Sequence, residues 1–364
     1  MRSSVLSYAA LGLAAAACLA FAGAALADDA LVDPSVAAGS LSGKRVLISP
    51  YNMENFNTAN TSWVTRLLEP YGVKTDVANP NGSSSKQLDN LETAIASQNY
   101  NIIIWQPIDP DTADTTIRKI QDAKIGQILQ FAPKDIGGMH YSTTSVDWTK
   151  TYVSAGAAAA TFIAKHPDLG PPQVAWIGQY PASQQCNDRL QGFMDGIKSV
   201  SPDTKIVYNE GVTTAEQSRS KITDLITRGT AFNIFSACNG GMALGGIAAL
   251  QAANLAGAVN KVPQHVYIAT MDGSPPELQL LWDQNSAVMR VGLFGPKTAA
   301  IADAKMAINL LTGKVPFDGE AEEFANVSWL TPDCDTYRAQ ALEQFQGVEG
   351  FTVPACSFKY TGND

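Results

Sequence analysis

FNIFSACNGGMALGGIAALQAA, residues 232–253, joins a short β-rich run to a longer apolar segment through a polar, glycine-rich turn. The first part, residues 232–237, is typical of a buried strand, and residues 242–253 predict a helix. A strand that leads through a short loop directly into a helix is the repeating unit of parallel α/β folds. This stretch therefore indicates an α/β architecture.

The same alternation extends in both directions from this stretch. Towards the N-terminus, a continuous apolar run at residues 102–105 is typical of a strand covered on both faces of its sheet. The predicted strands are 45–49, 73–77, 102–105, 126–131, 174–178, 205–208, 232–237, 266–269, 287–291 and 324–330. The predicted helices are 63–68, 87–98, 112–123, 152–165, 188–199, 218–228, 242–253, 276–284 and 296–312. Two runs of strand–helix–strand predict two parallel-sheet domains.

Composition excludes several classes of function. The 364 residues are 45% hydrophobic and 16% charged, which favours a folded core over disorder. A net charge of −9 repels phosphate backbones, so a nucleic-acid partner is not expected. Three histidines and no C-x-x-C pair argue against a zinc ribbon or another metal site. Because G-x-S-x-G, P-loop, H-E-x-x-H and G-x-G-x-x-G motifs are also missing, neither an enzyme nor a cofactor is expected.

The N-terminus has the pattern of an export signal. Arg2 is followed by an apolar stretch over residues 5–26, and the stretch closes as Ala25-Leu26-Ala27. This pattern predicts a signal peptide over residues 1–27, cleaved after Ala27. The alternatives are a membrane anchor and lipidation at Cys18. Residues 28–42 carry Asp, Pro, Gly and Ser without periodicity, and we predict a flexible leader there.

Four cysteines remain after the predicted cleavage. They are Cys186, Cys238, Cys334 and Cys356. An even number in an exported chain favours disulfides, although four buried free thiols are the alternative. Four cysteines allow three pairings, and their spacing alone does not choose among them.

The loops that follow the predicted strands are rich in Asn, Asp, Gln and aromatic residues. In parallel sheets, these loops at the carboxyl ends of the strands form the binding crevice. Amides and carboxylates hydrogen-bond hydroxyl groups, and aromatic rings cover the apolar face of a sugar. The composition therefore favours a neutral polyhydroxy ligand, while ordinary turn chemistry is the alternative for any single loop.

Four segments in chain order resemble one known family. They are residues 102–107 (IIIWQP), 188–193 (DRLQGF), 235–250 (FSACNGGMALGGIAAL) and 267–275 (YIATMDGSP). These segments resemble the ribose/galactose-type, or type I, periplasmic binding proteins of ABC importers. The resemblance covers residues 43–332.

The resemblance implies two flavodoxin-like parallel-sheet lobes that are joined by a three-strand hinge. The hinge crossings would fall near residues 140–146, 291–294 and 325–330. Lobe one would comprise residues 43–143 and 295–326. Lobe two would comprise residues 144–293, together with a cysteine-bearing tail at 327–364.

The resemblance also implies a ligand site in the cleft between the lobes. Asn239 and Asp272 match family residues that hydrogen-bond sugar hydroxyls, although Asp272 could instead form an Asx turn with Gly273. Arg189 either binds ligand or makes a local salt bridge. The remaining candidates are Tyr51, Asn52, Asn55, Phe56, Trp105, Lys134, Asp135, Asn187 and Phe294. Lys134 and Asp135 stand where the family often has an Asp-Arg pair, and rings such as Trp105 stack on a sugar or pack within the lobe.

Two departures from the family change the expected pocket. Asn187 stands where a ligand-binding Arg is frequent, and Phe294 stands where a polar ligand residue is frequent. Both make the pocket less charged and more apolar than a ribose site. A deoxy sugar, a polyol or a non-sugar solute with an apolar face is therefore included among the expected ligands.

Within such a lobe, the first and third strands are neighbours. Cys186 follows the first strand of lobe two, and Cys238 ends the third. The resemblance thereby implies a Cys186–Cys238 disulfide beside the cleft and leaves Cys334 to pair with Cys356.

The function implied is that of a monomeric periplasmic protein that captures a sugar or polyol and delivers it to an ABC permease. The alternative output is sensing, with the closed form docking on a chemoreceptor or a sensor kinase. A sugar-responsive repressor shares this fold, but the signal peptide and the missing helix-turn-helix before residue 43 argue against it.

Overall fold

A computed structural model describes residues 31–109, 113–132, 142–180, 182–319 and 321–362, without the side chains of Asn55 and Phe324. The predicted signal peptide, the first residues of the leader, Cys18, Lys134 and Asp135 lie outside the described residues. Within the described ranges, no helix is long and apolar enough to cross a bilayer.

Strands and helices alternate along the chain as predicted, and elements at 142–145, 258–259, 262–263 and 334–345 are added that were not predicted. The strands are β1 (Arg45–Ser49), β2 (Lys74–Val77), β3 (Ile102–Trp105), β4 (Gly126–Gln130), β5 (Ser142–Ser145), β6 (Gln173–Gln179), β7 (Lys205–Val212), β8 (Ile234–Ala237), β9 (Ala258–Val259), β10 (Val262–Pro263), β11 (Tyr267–Met271), β12 (Val288–Leu293), β13 (Ala321–Phe324) and β14 (Ser328–Leu330). The helices are α1 (Asn55–Leu68), α2 (Ser84–Ser97), α3 (Ala113–Asp122), α4 (Trp148–Lys165), α5 (Gln184–Val200), α6 (Ala215–Thr227), α7 (Gly240–Ala252), α8 (Pro275–Leu281), α9 (Pro296–Leu311) and α10 (Cys334–Phe345).

The strands form two six-stranded sheets of matching topology. Sheet one has the order β2-β1-β3-β4-β5-β13, and sheet two has the order β7-β6-β8-β11-β12-β14. Every pair in sheet one is parallel, whereas β14 runs antiparallel to β12 in sheet two. The two-lobe α/β prediction is therefore confirmed, with the flavodoxin-like strand order in each lobe.

Three connections join the lobes. The chain passes from β5 to α4 at residues 146–147, from β12 to α9 at residues 294–295, and from β13 to β14 at residues 325–327. The single strand predicted over residues 324–330 is wrong. Its two ends pair in different sheets as β13 and β14, because the chain changes lobes between them.

Residues 31–42, predicted as part of a flexible leader, instead pack against lobe one. Val36 and Leu41 are buried in its core. The backbone N–H of Leu41 donates to the carbonyl of Tyr71, and the Tyr71 hydroxyl accepts from the backbone N–H of Asp33. Burial of the two apolar side chains explains this attachment, since exposure to water would be unfavourable for both.

The tail, predicted to belong to lobe two, contacts both lobes. Helix α10 packs on α9 of lobe one, and the Trp63 indole N–H of α1 donates to the Gln344 carbonyl over 2.7 Å. Further along, the Ser357 hydroxyl donates to the carbonyl of Trp282 in lobe two. Residues 327–364 therefore do not all lie with lobe two.

Glycines allow α4 and α5 to approach closely in lobe two. A Cβ atom on Gly192 would stand 2.1 Å from the Thr149 carbonyl oxygen, and one on Gly156 would stand 2.0 Å from the Phe193 oxygen. No side chain can be accommodated at such distances without movement of the helices. This contact brings the N-terminal half of α4 against the middle of α5.

Candidate functional site

The carboxyl ends of the two sheets border a cavity of about 150 Å³ between the lobes. Each wall is built from the loops that follow the strands, where ligands bind in open parallel sheets. Lobe one contributes Tyr51, Asn52, Glu54, Phe56, Asn57, Gln106 and Phe131. Lobe two contributes Gln179, Gln185, Arg189, Thr213, Thr214, Ala215, Cys238, Asn239, Gly241, Met242, Asp272 and Ser274, and Phe294 lies on the crossing between them.

Aromatic rings form one side of this cleft. The Phe294 ring stacks on Phe56 with centroids 4.9 Å apart and an angle of 14° between the planes. It also meets Phe131 and Trp148 edge to face, each with a centroid distance of 5.1 Å. Phe56 and Phe131 belong to lobe one and Trp148 to lobe two, so Phe294 links the two lobes through ring contacts.

Arg189 places a buried positive charge in the wall of lobe two. Its guanidinium lies 3.6 Å from the centroid of the Trp148 ring, and one of its Nη1 hydrogens is donated to the Cys238 carbonyl. Its Nε–H has no hydrogen-bond partner among the described residues. The guanidinium is thus held in place from two sides and keeps donors for a ligand.

Asp272 lies directly after β11, with a positive φ of 95°. Its Oδ2 accepts a hydrogen bond of 2.8 Å from the Gly240 backbone N–H. Burial raises the pKa of Asp272 above its usual range, while the charge of Arg189 and the bond from Gly240 oppose this rise. The positive partners therefore favour a carboxylate that can accept hydrogen bonds from a ligand.

A second carboxyl group lies behind Asp272. Glu277 is fully buried and accepts hydrogen bonds from the backbone N–H and the hydroxyl of Ser274, at 2.8 and 2.7 Å. Burial, together with the nearby charge of Asp272, raises the pKa of Glu277 to about 8. The negative charge of Asp272 thus opposes ionisation of Glu277, the carboxyl group next to it.

Asn239 is the N-cap of α7. Its Oδ1 accepts from the backbone N–H of Met242 over 2.9 Å, so its amide NH₂ remains as a donor for the cleft. On the opposite wall, Asn52 Oδ1 accepts from the Asn57 amide and from the backbone of Glu54. The two walls therefore both present amide groups in fixed orientations.

Two disulfides are present. Cys186 in α5 is bonded to Cys238 after β8, with a Cα–Cα distance of 5.2 Å. Cys334 at the start of α10 is bonded to Cys356. This is the pairing that the family resemblance implied.

Seven of the predicted ligand residues line the cleft, Trp105 and Asn187 do not, and Lys134 and Asp135 lie outside the described residues. The seven are Tyr51, Asn52, Phe56, Arg189, Asn239, Asp272 and Phe294. Asn55 starts α1, but its side chain is not described. Trp105 is buried with Ile103 in the core on one face of sheet one and does not reach the cleft. Side chains alternate between the two faces along β3, which places Trp105 on the same face as Ile103. Asn187 is exposed on α5, on a different face from Arg189.

Other lining residues escaped the sequence analysis. Gln106 directly follows β3, and Gln179 is the last residue of β6. Both strands were predicted, so the position of each residue could have indicated that it lines the cleft. Thr213 and Thr214 follow β7, which continues to Val212. The sequence pattern predicts a strand that ends at residue 208, so it gives no indication that Thr213 and Thr214 directly follow a strand.

One known protein family matches most of the chain. The family described as "Periplasmic binding protein domain" matches residues 46–315. The chain belongs to this family. Its matched residues span both lobes and all cleft residues named above. No curated protein sequence matches this periplasmic binding protein.

Solved structures share the fold of this periplasmic binding protein at low identity. An ABC transporter solute binding protein from Bacillus halodurans with bound myo-inositol is 20% identical, with a TM-score of 0.67 over 83% of this chain and 100% of that one. A protein from Actinobacillus succinogenes with bound D-allose is 18% identical, with a TM-score of 0.67 over 80% and 99%. One from Agrobacterium vitis with bound allitol is 19% identical, with a TM-score of 0.67 over 83% and 99%.

Proposed function

We propose that this chain is an exported solute-binding protein that captures a small neutral sugar or polyol between its lobes and delivers it to an ABC permease. The observation that carries this proposal is the pairing of an aromatic surface with fixed hydrogen-bonding groups in one cleft. The ligands bound in the three structural neighbours, myo-inositol, D-allose and allitol, are all polyhydroxy compounds.

The polar groups suit hydroxyls because a hydroxyl both donates and accepts. Asp272 supplies an acceptor, and Arg189 and Asn239 supply donors from the same wall. Hydrogen bonds to charged groups are about twice as strong as neutral ones, which favours an oriented ligand. The Phe56 and Phe294 rings offer a surface for the C–H face of the solute.

The charges of the cleft favour a neutral solute. Among the described lining residues, Arg189 and Asp272 carry opposite charges inside the cleft, and Glu54 lines it at an exposed position. An anionic solute would meet Asp272 at short range, and a cationic solute would meet Arg189. A solute without net charge engages both groups and leaves neither opposed.

The proposed mechanism is a shift of population between open and closed lobes. Asn52 and Phe131 belong to lobe one, whereas Arg189 and Asp272 belong to lobe two. A solute that contacts both walls binds the closed form more tightly than the open form and so stabilises closure. The closed surface is what a permease would recognise.

Capture without catalysis is the activity that the lining supports. Cys238 is bonded to Cys186 and is not available as a nucleophile, and the lining residues of the described chain include no histidine. We propose that the protein acts as a monomer and without a cofactor. The predicted signal peptide and the disulfides suit a periplasmic location.

The test is thermal unfolding of residues 28–364 with myo-inositol, D-allose and allitol, set against D-glucuronate and D-glucosamine as charged controls. A solute at about 1,000 times its Kd adds about 4 kcal/mol to the free energy of unfolding, so a hit shifts the Tm by several degrees. We expect a hit among the neutral solutes. Hits confined to the charged compounds, or none among a wider set of neutral sugars and polyols, would contradict the proposal.

A further inference from the structure

The Cys186–Cys238 disulfide lies inside the wall of the cleft. Cys186 is in the first turn of α5, and Cys238 directly follows β8, which pairs with β6. Both side chains are buried, with 4% and 1% of their surface exposed, and Cys238 lines the cavity. The bond therefore joins the start of a helix to the end of a neighbouring strand at the ligand side of lobe two.

Two polar side chains of the cleft, and the backbone N–H that binds a third, lie within three residues of this bond. Arg189 is one helical turn after Cys186. Asn239 directly follows Cys238 and caps α7, and the next backbone N–H, that of Gly240, donates to Asp272. Arg189 is thus close in sequence to one cysteine of the disulfide, and the first turn of α7 is close in sequence to the other.

A hydrogen bond joins the same two segments of the chain as the disulfide. The Arg189 guanidinium donates to the carbonyl of Cys238, the residue to which Cys186 is bonded. Trp148 covers one face of the guanidinium, so a displaced Cys238 carbonyl would leave a buried cation with fewer partners. Loss of such a partner is costly in a buried site.

We infer that the Cys186–Cys238 disulfide is a positioning element of the ligand site. It keeps the Cys238 carbonyl within reach of Arg189 and holds the first turn of α7 so that Asn239 and the Gly240–Asp272 pair face the cleft. The inference rests on the proposed function, since the site that it positions is the site for the neutral solute.

The second disulfide of the chain is a matched control. Cys334–Cys356 also closes a loop, but it lies in the tail, and neither residue lines the cleft. Its removal would affect general stability without moving Arg189 or α7. A purely stabilising role for Cys186–Cys238 predicts that both removals act alike on the cleft.

The first measurement needs no ligand. Amide hydrogen exchange is followed at Gly240 and Met242, whose N–H groups donate to Asp272 and Asn239, in C186S/C238S and in C334S/C356S. We expect exchange at both amides to be roughly tenfold faster in C186S/C238S, the change that follows loss of about one hydrogen bond's free energy. Wild-type exchange rates in C186S/C238S, or equal acceleration in both variants, would overturn the inference.

A second arm covers the case in which C186S/C238S does not fold. In folded C334S/C356S only one disulfide remains, and tris(2-carboxyethyl)phosphine reduces it to two thiols. The phosphine is oxidised to its oxide, and water supplies the oxygen. Exchange at Gly240 is expected to accelerate as this bond opens, and an unchanged rate would overturn the inference.

The third arm measures affinity for whichever of myo-inositol, D-allose or allitol binds the wild type. We expect Kd to rise roughly tenfold in C186S/C238S and to stay within about twofold in C334S/C356S. An unchanged Kd in C186S/C238S would overturn the inference. If no solute binds the wild type, the proposed function fails, and the exchange measurements still decide whether the disulfide positions the wall.

Discussion

The backbone N–H of Gly240 donates a hydrogen bond of 2.8 Å to Oδ2 of Asp272. This contact joins the first turn of α7 to the loop after β11, two elements that come from neighbouring strands of sheet two. It fixes one carboxylate oxygen and leaves the other for the cleft. Charge from Arg189 supports the ionised form, although burial raises the pKa of Asp272.

The first prediction concerns this carboxylate. Asp272→Ala should weaken solute binding by about 1.5–3 kcal/mol, the range for hydrogen bonds to a charged group. Asp272→Asn should lose less, because its amide oxygen can still accept from Gly240. Calorimetric titration of the solute identified by thermal unfolding gives both values. Equal affinity in Asp272→Ala and wild type would remove Asp272 from the site.

The aromatic contacts of Phe294 give a prediction on stability. Its ring is 2% exposed and touches Phe56, Phe131 and Trp148. Phe294→Ala should therefore lower the free energy of unfolding by about 3–5 kcal/mol, the usual cost of a large buried ring. Urea unfolding measures the loss. Tyr180→Ala is the control, since that ring is 66% exposed and should change stability by about 0.5 kcal/mol or less.

A buried carboxyl in lobe one should make stability depend on pH. Asp303 of α9 accepts hydrogen bonds from the Thr144 hydroxyl at 2.8 Å and from the Gln130 amide at 2.6 Å. It is fully buried, and this burial raises the pKa of Asp303 from 3.8 to about 6. The folded state therefore holds this proton more tightly than the unfolded state between pH 4 and pH 6.

The sign of the effect follows from linkage. Since the folded state binds the extra proton, the contribution of Asp303 to stability is greatest below pH 4 and is lost as the pH rises through 6. Asparagine at this position does not titrate, so the free energy of unfolding of Asp303→Asn should lack this dependence on pH. Urea unfolding from pH 4 to 7 gives the free energy of unfolding of both proteins. The wild-type value minus the Asp303→Asn value should fall as the pH rises. A difference that does not change with pH would refute the role given to Asp303.

The close approach of α4 and α5 gives a further prediction. Gly192→Ala would place a Cβ 2.1 Å from the Thr149 carbonyl oxygen, so the helices must separate. We expect a loss of about 1–3 kcal/mol in the free energy of unfolding, as for other overpacked sites. At Gly257 nothing lies within 4 Å of such a Cβ. Gly257→Ala should accordingly be near neutral, and equal losses in both variants would contradict the packing argument.

The sequence pattern was sufficient to predict the alternating elements, whereas the lobe crossings were implied by the family resemblance. Continuous apolar strands and helical spacing carry that information locally. It did not separate β13 from β14, because both are short and each is defined by its pairing with a distant strand, β5 or β12. The leader and α10 were also misplaced, since their docking depends on contacts such as Leu41 with Tyr71.

The site was predicted best where a residue directly follows a strand. Asp272 and Phe294 do, Asn239 stands one residue further from its strand, and all three line the cleft. Trp105 is the last residue of its strand, and the alternation of side chains directs it into the core with Ile103. A candidate inside a strand or helix therefore needs its face determined first.

Small-angle scattering is the most direct test of solute capture by lobe closure. Wild type and Asp272→Ala are measured without solute and with the same concentration of the identified sugar or polyol, set a few-fold above the wild-type Kd. The account predicts a smaller radius of gyration for the wild type on binding and no change for Asp272→Ala, which is largely unliganded at that concentration. An unchanged wild-type radius at this concentration would contradict it.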